Sequence, residues 1–361
     1  MFAALTRRVL EPPAFGLDIS DLTAKYVRLV RRAGVFLLDE YGEIDIPPGL
    51  ITDGVIQKED DLVVVLRERL KAARPKRKLE RFCVASLPEE KSFVRVIELP
   101  TLQAGDMAHA VRWELEGVIP LPMDQAIFDF EPVPAGSGRE RREVLITAFP
   151  RDIVESYHRV LARSGFTPLA LELESQAISR ALIAAELAER SVIIADIGAN
   201  RTSFVIFAGG SMLFTKSIAV GGRDFERAIA EALGVSSEEA RVLKIAVGLN
   251  RSGRGEEIFR ALGPLVALLT AELGKLLGFY RDHLAAKRHD LGDVERVVLC
   301  GGDANLIGFE QYVAVAAKKS VVLGDPFANL HFPAGTIPSI PRNQSLKYTT
   351  AIGLGLRAAG Y

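Results

Sequence analysis

A short pattern occurs twice in this chain: an apolar run ends in an aspartate, a turn follows, and a second apolar run begins. The first copy covers residues 14–30 with Asp18 at the turn, and the second covers residues 191–207 with Asp196. A buried strand that carries an acid into a turn places a carboxylate at the end of a sheet, where a hydrated divalent cation and a polyphosphate can bind. The repetition predicts two similar halves that face one cleft. Each copy alone also fits a plain hairpin, because such turns favour Gly, Asp and Asn for conformational reasons.

A third element lies downstream, in residues 297–306. An apolar strand ends at Gly301 and Gly302, and the pattern predicts a helix that opens directly afterwards with Asp303 near its first turn. Glycines let backbone amides approach a ligand with no Cβ in the way. A plain strand-to-helix turn has the same sequence requirements, so the order of all three elements is what favours a ligand site.

In this order the three elements resemble the actin, hexokinase and FtsA superfamily, which has two phosphate loops and an adenosine loop. Other segments narrow the resemblance to the PilM family of actin-like proteins of type IV pilus assembly, over about residues 15–357. The resemblance implies an α/β, actin-like two-domain fold with duplicated ribonuclease-H-like halves. An inserted α+β subdomain of FtsA/PilM type belongs to the first half and a helical subdomain to the second. The segments that carry it are residues 98–100, 113–122, 128–130, 221–224, 237–240, 325–327 and 351–357.

The hydrophobic periodicity agrees with this organisation. Alternation predicts a three-stranded meander over residues 15–40, and helical spacing predicts a helix over residues 59–73. After residue 82 the pattern is strand, strand, helix, strand, strand, helix, as expected of a compact inserted block. We therefore expect a first actin-like domain at 1–82, completed by 165–190 and 345–361, an insertion at 83–164, a second domain at 191–235, completed by 291–344, and a helical subdomain at 236–290.

Composition limits the class of protein further. With 361 residues, the chain is too long for one compact core. No run of 18 apolar residues exists, so we expect no membrane span, and residues 1–10 do not have the order of a secretory signal. Cys83 and Cys300 lie in apolar runs, which predicts buried free thiols in a reducing, cytoplasmic compartment. The net charge of −1 gives no reason to expect nucleic acid, and the basic run at residues 74–78 is expected to be a solvated loop.

The resemblance implies that the three elements bind ATP with Mg²⁺, and that Asp18 and Asp196 hold the metal. It assigns no catalytic residue. The residues implied in cofactor binding are Asp18, Ser20, Thr23, Lys25, Asp196, Gly198, Asn200, Thr202, Gly222, Lys244, Gly301 and Gly302.

Three positions depart from the family pattern. Ser20 replaces a glycine of the first loop and Asp21 replaces a serine. A carboxylate about 4 Å from a phosphate oxygen costs roughly 4 kcal/mol at an effective dielectric near 20, so Asp21 either weakens binding, turns outward to cap the hairpin, or holds a cation. Arg241 stands where the superfamily usually has Glu, while Lys244 is kept. These departures predict that ATP binds weakly or with product-like persistence and is turned over slowly at best.

The resemblance implies a cytoplasmic platform protein of type IV pilus machinery, or of related DNA-uptake or secretion machinery, which reaches the inner membrane only through partners. The implied partner is the short N-terminal cytoplasmic tail of a PilN-like single-span membrane protein, with self-association and pilus motor ATPases as further expectations. An extended tail could lie against a strand edge at the junction of the inserted block. The alternative is an active actin-like ATPase of FtsA type. That alternative is less favoured, because FtsA relatives carry a C-terminal membrane helix and this sequence stops at Tyr361.

Overall fold

The computed structural model describes residues 12–72, 80–100, 104–117, 119–134, 141–253, 255–288, 290–333 and 335–361. Two segments with sequence-based expectations, the N-terminal residues 1–10 and the basic run at residues 74–78, lie outside the described residues. The chain forms two compact units. The first comprises Met1–Ala184, Pro326–Ile340 and Tyr348–Tyr361, and the second comprises Ala185–Asp325 and Pro341–Lys347.

The first unit begins with the predicted meander. Strands β1 (Ala14–Ile19), β2 (Thr23–Arg32) and β3 (Val35–Asp45) pair antiparallel in sequence order. A two-residue hairpin follows, formed by β4 (Ile51–Thr52) and β5 (Val55–Ile56). Helix α1 (Glu59–Ala72) comes next and buries Leu62, Val63, Leu66 and Leu70, the spacing expected of an amphipathic helix.

The inserted block has its own sheet and its own core. The elements after α1 are β6 (Phe82–Leu87), β7 (Phe93–Pro100), α2 (Ala104–Glu116), β8 (Ala126–Pro132), β9 (Arg141–Pro150), α3 (Arg151–Arg163), β10 (Thr167–Leu173) and α4 (Glu174–Leu182). Strands β7, β9 and β8 form a separate three-stranded sheet in that order. Helix α2 packs on it through Met107, Val111 and Leu115, each one helical turn from the next.

Strand β6 lies in the larger sheet, although the predicted insertion begins at residue 83. It pairs in parallel with β1 on one side and β10 on the other, which gives the order β10-β6-β1-β2-β3. Cys83 through Leu87 are all buried, as expected of a parallel strand covered on both faces. The separate sheet of the inserted block therefore starts at Phe93.

Helix α4 ends at Leu182, whereas the sequence pattern predicts a helix to residue 190. The chain turns to an extended conformation at Ile183. The Asn329 side-chain amide donates hydrogen bonds to the carbonyl oxygens of Arg180 (2.9 Å) and Ile183 (3.1 Å). Asn329, almost 150 residues away in the sequence, thus satisfies carbonyl groups at the helix end. No sequence pattern near residue 182 predicts this contact.

The second unit repeats the sheet of the first. Its sheet has the order β13-β12-β11-β14-β15, with three antiparallel strands followed by two parallel ones, the same arrangement as β3-β2-β1-β6-β10. The duplicated halves predicted from the two Asp-turn copies are confirmed. The elements are β11 (Val192–Ile197), β12 (Thr202–Ala208), β13 (Ser211–Ile218), α5 (Gly222–Leu233), α6 (Ser237–Val247), α7 (Gly255–Phe279), β14 (Arg296–Cys300), α8 (Phe309–Ala317), β15 (Ser320–Leu323) and α9 (Arg342–Ser345).

Helix α7 and the π-type turn Tyr280–Ala285 that continues it form one stretch long and apolar enough to cross a membrane by length and composition. The sequence pattern predicts no such span. One helix of this kind is weak evidence, because the core helix of a soluble protein passes the same test. Ile258, Leu262, Val266 and Leu269 of α7 are buried, and the helix packs on α5 within the second unit.

The last helix, α10 (Thr349–Ala358), belongs to the first unit. The superfamily resemblance predicted that this helix returns to the first domain. It packs against β1 and α4, and its residues from Thr349 to Leu356 are all buried. Contact with β1 is close enough that a Cβ on Gly16 would lie 2.3 Å from the amide nitrogen of Gly355.

Candidate functional site

The first candidate loop lies at the end of β1, where Asp18 is buried. Its carboxylate accepts a hydrogen bond of 3.1 Å from the Ser86 hydroxyl, and the same Ser86 oxygen accepts one from the amide of Ile19. Asp18 stands opposite Lys25 in the β1–β2 register. Burial raises the pKa of Asp18, and the charge of Lys25 and the Ser86 hydrogen bond only partly oppose this. The loop therefore holds a carboxylate whose charge is costly and which a cation would stabilise.

The loop after Asp18 is closed by contacts among the predicted site residues. The Ser20 hydroxyl donates to the Thr23 carbonyl oxygen at 3.0 Å, and the Ser20 amide donates to the same oxygen at 2.9 Å. The Lys25 ammonium donates to the Thr23 hydroxyl at 2.7 Å and lies 3.8 Å from Glu43. Ser20, Thr23 and Lys25 thus come together beside Asp18.

The side chain of Asp21 turns toward the β4–β5 hairpin. Its two carboxylate oxygens accept hydrogen bonds from the backbone amides of Asp53 (3.2 Å) and Gly54 (3.0 Å). Both of these residues have positive φ angles, 49° and 72°, at the tip of the hairpin. Of the alternatives that the sequence left open, a turn-capping role fits this geometry, although the capped turn is the second hairpin and not the β1–β2 turn.

We expect Asp18→Asn to stabilise the protein increasingly as the pH rises. Because the folded-state pKa of Asp18 is raised above its ordinary value of 3.8, the folded state binds more protons than the unfolded state between these two pKa values, and wild-type stability falls as the pH rises through that window. The amide keeps a hydrogen-bond acceptor for Ser86 and removes the titration. Urea unfolding at pH 3.5 to 8 measures the difference in free energy of unfolding between the variant and the wild type. Asp45→Asn, at an exposed position, is the control. A difference that does not change with pH would contradict the expectation.

The second loop, between β11 and β12, is built from backbone hydrogen bonds. The amide of Gly198 donates to the Arg201 carbonyl, that of Gly222 to the Gly198 carbonyl, and that of Arg223 to the Ala199 carbonyl, all at 2.9 Å. The Thr202 hydroxyl donates to the Val220 carbonyl at 2.8 Å. Asn200 is half-buried at the turn. These three amides are therefore already used within the protein in this conformation.

Asp196 and the third element meet at the end of the second sheet. The Cys300 thiol lies 3.6 Å from the Asp196 carboxylate, and burial raises the pKa of Cys300. Gly301 has φ 91°, and a Cβ there would lie 2.4 Å from the Ile197 carbonyl oxygen and 2.5 Å from an Asp196 oxygen. Glycine is thus required at Gly301 both by its conformation and by close packing.

The helix predicted directly after Gly302 begins only at Phe309. Residues 301–308 form turns instead, in which the Asp303 amide donates to the Ile197 carbonyl at 3.0 Å. The Asp303 carboxylate accepts from the buried Lys244 ammonium at 2.5 Å. Because this side chain is engaged by Lys244, it does not cap a helix, and the helix starts after Gly308, whose φ is 79°.

Lys244 is surrounded by groups of its own chain. Besides Asp303, it donates to Glu226 at 2.7 Å and to the Gly222 carbonyl at 3.4 Å. Burial raises the pKa of Asp303, and Lys244 opposes that rise. The charge of Lys244 is therefore balanced without any ligand. Arg241, one turn earlier on α6, is exposed and pairs with Glu238 at 2.7 Å.

A groove lies in the first unit where the inserted block meets the larger sheet. Its volume is about 350 Å³. Strand β8 lines it with five consecutive residues, from Ile127 to Glu131, and β10 lines it with Leu171, Glu172 and Leu173. The other lining residues are Leu87, Leu145, Thr147, Phe149, Val154, Gln176 and Arg357. The sequence predicts a tail at this junction but none of these residues, because β8 and β10 belong to different sheets and no local pattern indicates that they line one cavity.

The groove has mixed walls, in which apolar side chains lie beside Asp129 and Glu131 of β8 and beside a charged cluster around Glu172. Glu172 is buried and accepts hydrogen bonds from Arg180 at 2.6 and 3.1 Å, and it also pairs with Arg357. Gln176 reaches across from α4 to Glu131 on β8 at 3.4 Å. Eight of the fifteen lining residues are leucine, isoleucine or phenylalanine, which suits a partly apolar ligand.

Known proteins resemble this chain over almost its whole length. The family described as type IV pilus assembly protein PilM matches residues 16–359. A solved PilM-PilN type IV pilus biogenesis complex contains a chain that is 26% identical, with a TM-score of 0.83, covering 97% of this chain and 100% of that one. The ethanolamine utilization protein EutJ from Carboxydothermus hydrogenoformans is 16% identical with a TM-score of 0.56, and the match covers 95% of this chain and 88% of that one. MreB5 of Spiroplasma citri bound to ADP is 12% identical with a TM-score of 0.54, and the match covers 94% of each chain.

The duplicated five-stranded sheets and these structural neighbours define an actin-like protein with two units. Within that class, the match over residues 16–359 shows that the chain belongs to the PilM family of type IV pilus assembly proteins.

Proposed function

We propose that this actin-like type IV pilus assembly protein is a cytoplasmic platform that holds the N-terminal cytoplasmic tail of a PilN-like membrane protein in the groove of its first unit. The observation that carries the proposal is that two strands at sheet edges, β8 and β10, line one cavity. The resemblance to a chain of the PilM-PilN complex supports the class of partner.

The strand order explains why a peptide suits this groove. β8 is the last strand of the sheet β7-β9-β8, and β10 is the first strand of β10-β6-β1-β2-β3. A strand at a sheet edge presents backbone amides and carbonyls along its outer side. An extended peptide can hydrogen-bond to such an edge while alternate side chains enter pockets, which is the mode called β-augmentation.

The walls indicate what the tail contains. Ile127, Leu171 and Leu173 line the groove, so we expect apolar residues at alternate positions of the tail. Ordering a flexible tail costs part of its binding free energy, so a dissociation constant on the order of micromolar is expected for the isolated peptide. Several copies of the platform held together would raise the effective affinity.

A peptide titration tests this proposal. A fluorescent synthetic tail is titrated with the whole protein, and amide hydrogen exchange is compared with and without peptide. We expect micromolar binding and slower exchange in β8 and β10. No binding, or protection confined to the loops around Asp18 and Asp196, would overturn the groove as the recognition site. A variant that lacks the whole predicted insertion, residues 83–164, cannot serve as a control. This deletion would also remove β6, which lies between β10 and β1 in the larger sheet.

We propose ATP with Mg²⁺ as a weakly held ligand of the candidate loops. In favour is that each loop by itself offers a carboxylate to a hydrated cation, the costly buried Asp18 in the first loop and the half-buried Asp196 beside Gly301 in the second. Lys25, Ser20 and Thr23 would turn toward phosphate oxygens, and bound Mg²⁺ would neutralise phosphate charge. Against tight binding are the amides of Gly198 and Gly222, already bonded within the protein, and the balanced charge of Lys244.

Asp21→Ser is expected to leave ATP affinity within about twofold of wild type, because the Asp21 carboxylate contacts Asp53 and Gly54. Isothermal titration with and without magnesium measures this, and Asp196→Ala, which removes a proposed metal ligand, should abolish the effect of magnesium. A tenfold gain in affinity for Asp21→Ser would show that Asp21 faces the phosphates. Steady hydrolysis above about one turnover per second would favour the ATPase alternative.

The remaining partners follow from the same proposal. Self-association and contact with pilus motor ATPases are expected of a platform protein, and a location at the inner membrane would come through the PilN-like partner. Cross-linking in cells that carry the partner, compared with cells that lack it, tests whether membrane association depends on that partner.

A further inference from the structure

The contacts of Asp21 do not end at the second hairpin. Gly54, whose amide donates to Asp21, also accepts through its carbonyl oxygen a hydrogen bond of 3.0 Å from the Tyr157 hydroxyl. Tyr157 is buried and belongs to α3, the helix that leaves the inserted block. One residue of the hairpin tip thus connects the first candidate loop with α3.

The same glycine packs tightly on the chain that follows β6. A Cβ on Gly54 would lie 2.4 Å from the Cβ of Pro88 and 2.6 Å from a Glu90 carboxylate oxygen. The φ of Gly54 is 72°, so both the conformation and the space require glycine there. The hairpin tip is therefore fixed against two elements at once, α3 and the segment after β6.

Helix α3 and strand β6, which leads directly into that segment, both form walls of the groove. Val154 lies one helical turn before Tyr157 on α3 and lines the groove, and Leu87, directly before Pro88, also lines it. Asp21, Gly54 and Tyr157 do not line it themselves. Movement of the hairpin tip would consequently shift groove walls that the tip does not itself form.

We propose that Asp21, Gly54 and Tyr157 form a strut that holds the α3 and β6 walls of the groove at the spacing an extended peptide needs. Asp21 and Tyr157 are then positioning residues for peptide recognition, and the conformation of the first loop sets the affinity of the groove. The inference rests on the proposed function, because it concerns the same groove.

Variants of the strut test the inference through peptide affinity. Asp21→Ala and Tyr157→Phe each remove one end of the strut, and we expect each to weaken tail binding roughly tenfold. Asp21→Asn keeps one acceptor oxygen and should restore part of the loss. The double variant should be little weaker than the stronger single variant, since both break one unit. Asp45→Ala, an exposed carboxylate on β3, is the control and should bind as wild type does.

Thermal unfolding separates positioning from general stability, since a merely structural role would lower the melting temperature and leave the affinity of the folded protein unchanged. That result, or additive losses in the double variant, would overturn the strut. Hydrogen exchange of the free protein gives a readout that needs no peptide: Asp21→Ala should speed exchange in residues 83–87 of β6 and 153–157 of α3. If wild type binds no tail, the proposed function fails, while the exchange result still decides whether the strut exists.

Discussion

Replacing Leu171 with arginine is expected to weaken binding of the PilN-like tail by at least about 30-fold. This factor corresponds to a loss of about 2 kcal/mol of binding free energy, which is typical for a central interface residue. Leu171 is half-buried on β10 and lines the same groove as residues of β8. A guanidinium there would occupy the space of an apolar tail residue and lose hydration when the tail binds. Fluorescence anisotropy with the labelled tail measures the dissociation constant.

The chain offers a matched control two residues earlier on the same strand. Leu169 is exposed, lies where the β6–β10 register shifts, and does not line the groove. Leu169→Arg adds the same charge and volume to the same strand, so it should leave tail affinity unchanged. Leu171→Ala, which only shortens the side chain, should give an intermediate loss. Equal losses for the two arginine variants would mean that charge on β10, and not occupation of the groove, weakens binding, and no loss for Leu171→Arg would remove the groove from the proposal.

The repeated frame of the fold could be predicted because its signals are local. Apolar runs on both sides of Asp18 and of Asp196, separated by a short turn, define hairpins within some 20 residues of sequence. Two hairpins followed by comparable strands and helices predict two similar sheets, and both sheets have the same strand order. The apolar spacing of Leu62, Leu66 and Leu70 likewise defines α1 without knowledge of its neighbours.

The site could be predicted only in part, because its decisive contacts join distant segments. Asp21 was identified as a departure from the family pattern, but its partners Asp53 and Gly54 lie 32 and 33 residues away. Asp303 has the residue type and position of a helix cap, yet its carboxylate binds Lys244, 59 residues earlier, and the helix starts later. Local preference was overridden in each case by a tertiary hydrogen bond or ion pair.

Gly353→Ala is expected to destabilise the first unit strongly, by about 3 kcal/mol, the upper part of the usual range for overpacking. Gly353 lies in α10, where a Cβ would stand 1.8 Å from the Ala177 carbonyl oxygen and 2.4 Å from its carbonyl carbon. Both are backbone atoms of α4, so no side chain can rotate away, and the two helices must separate. Urea unfolding followed by circular dichroism measures the loss.

The control is a glycine in another helix that has no such neighbour. Gly274 lies in the interior of α7, where a Cβ would have no neighbouring atom within 4 Å, so Gly274→Ala should stabilise the protein by up to about 1 kcal/mol through helix propensity. If Gly353→Ala lowers the free energy of unfolding and Gly274→Ala raises it, the α4–α10 contact is the cause of the loss. A change of the same sign in both variants would contradict that explanation. Because α10 also carries Arg357, which pairs with Glu172 in the groove, separation of the helices should weaken tail binding in the folded fraction of Gly353→Ala and leave Gly274→Ala unaffected.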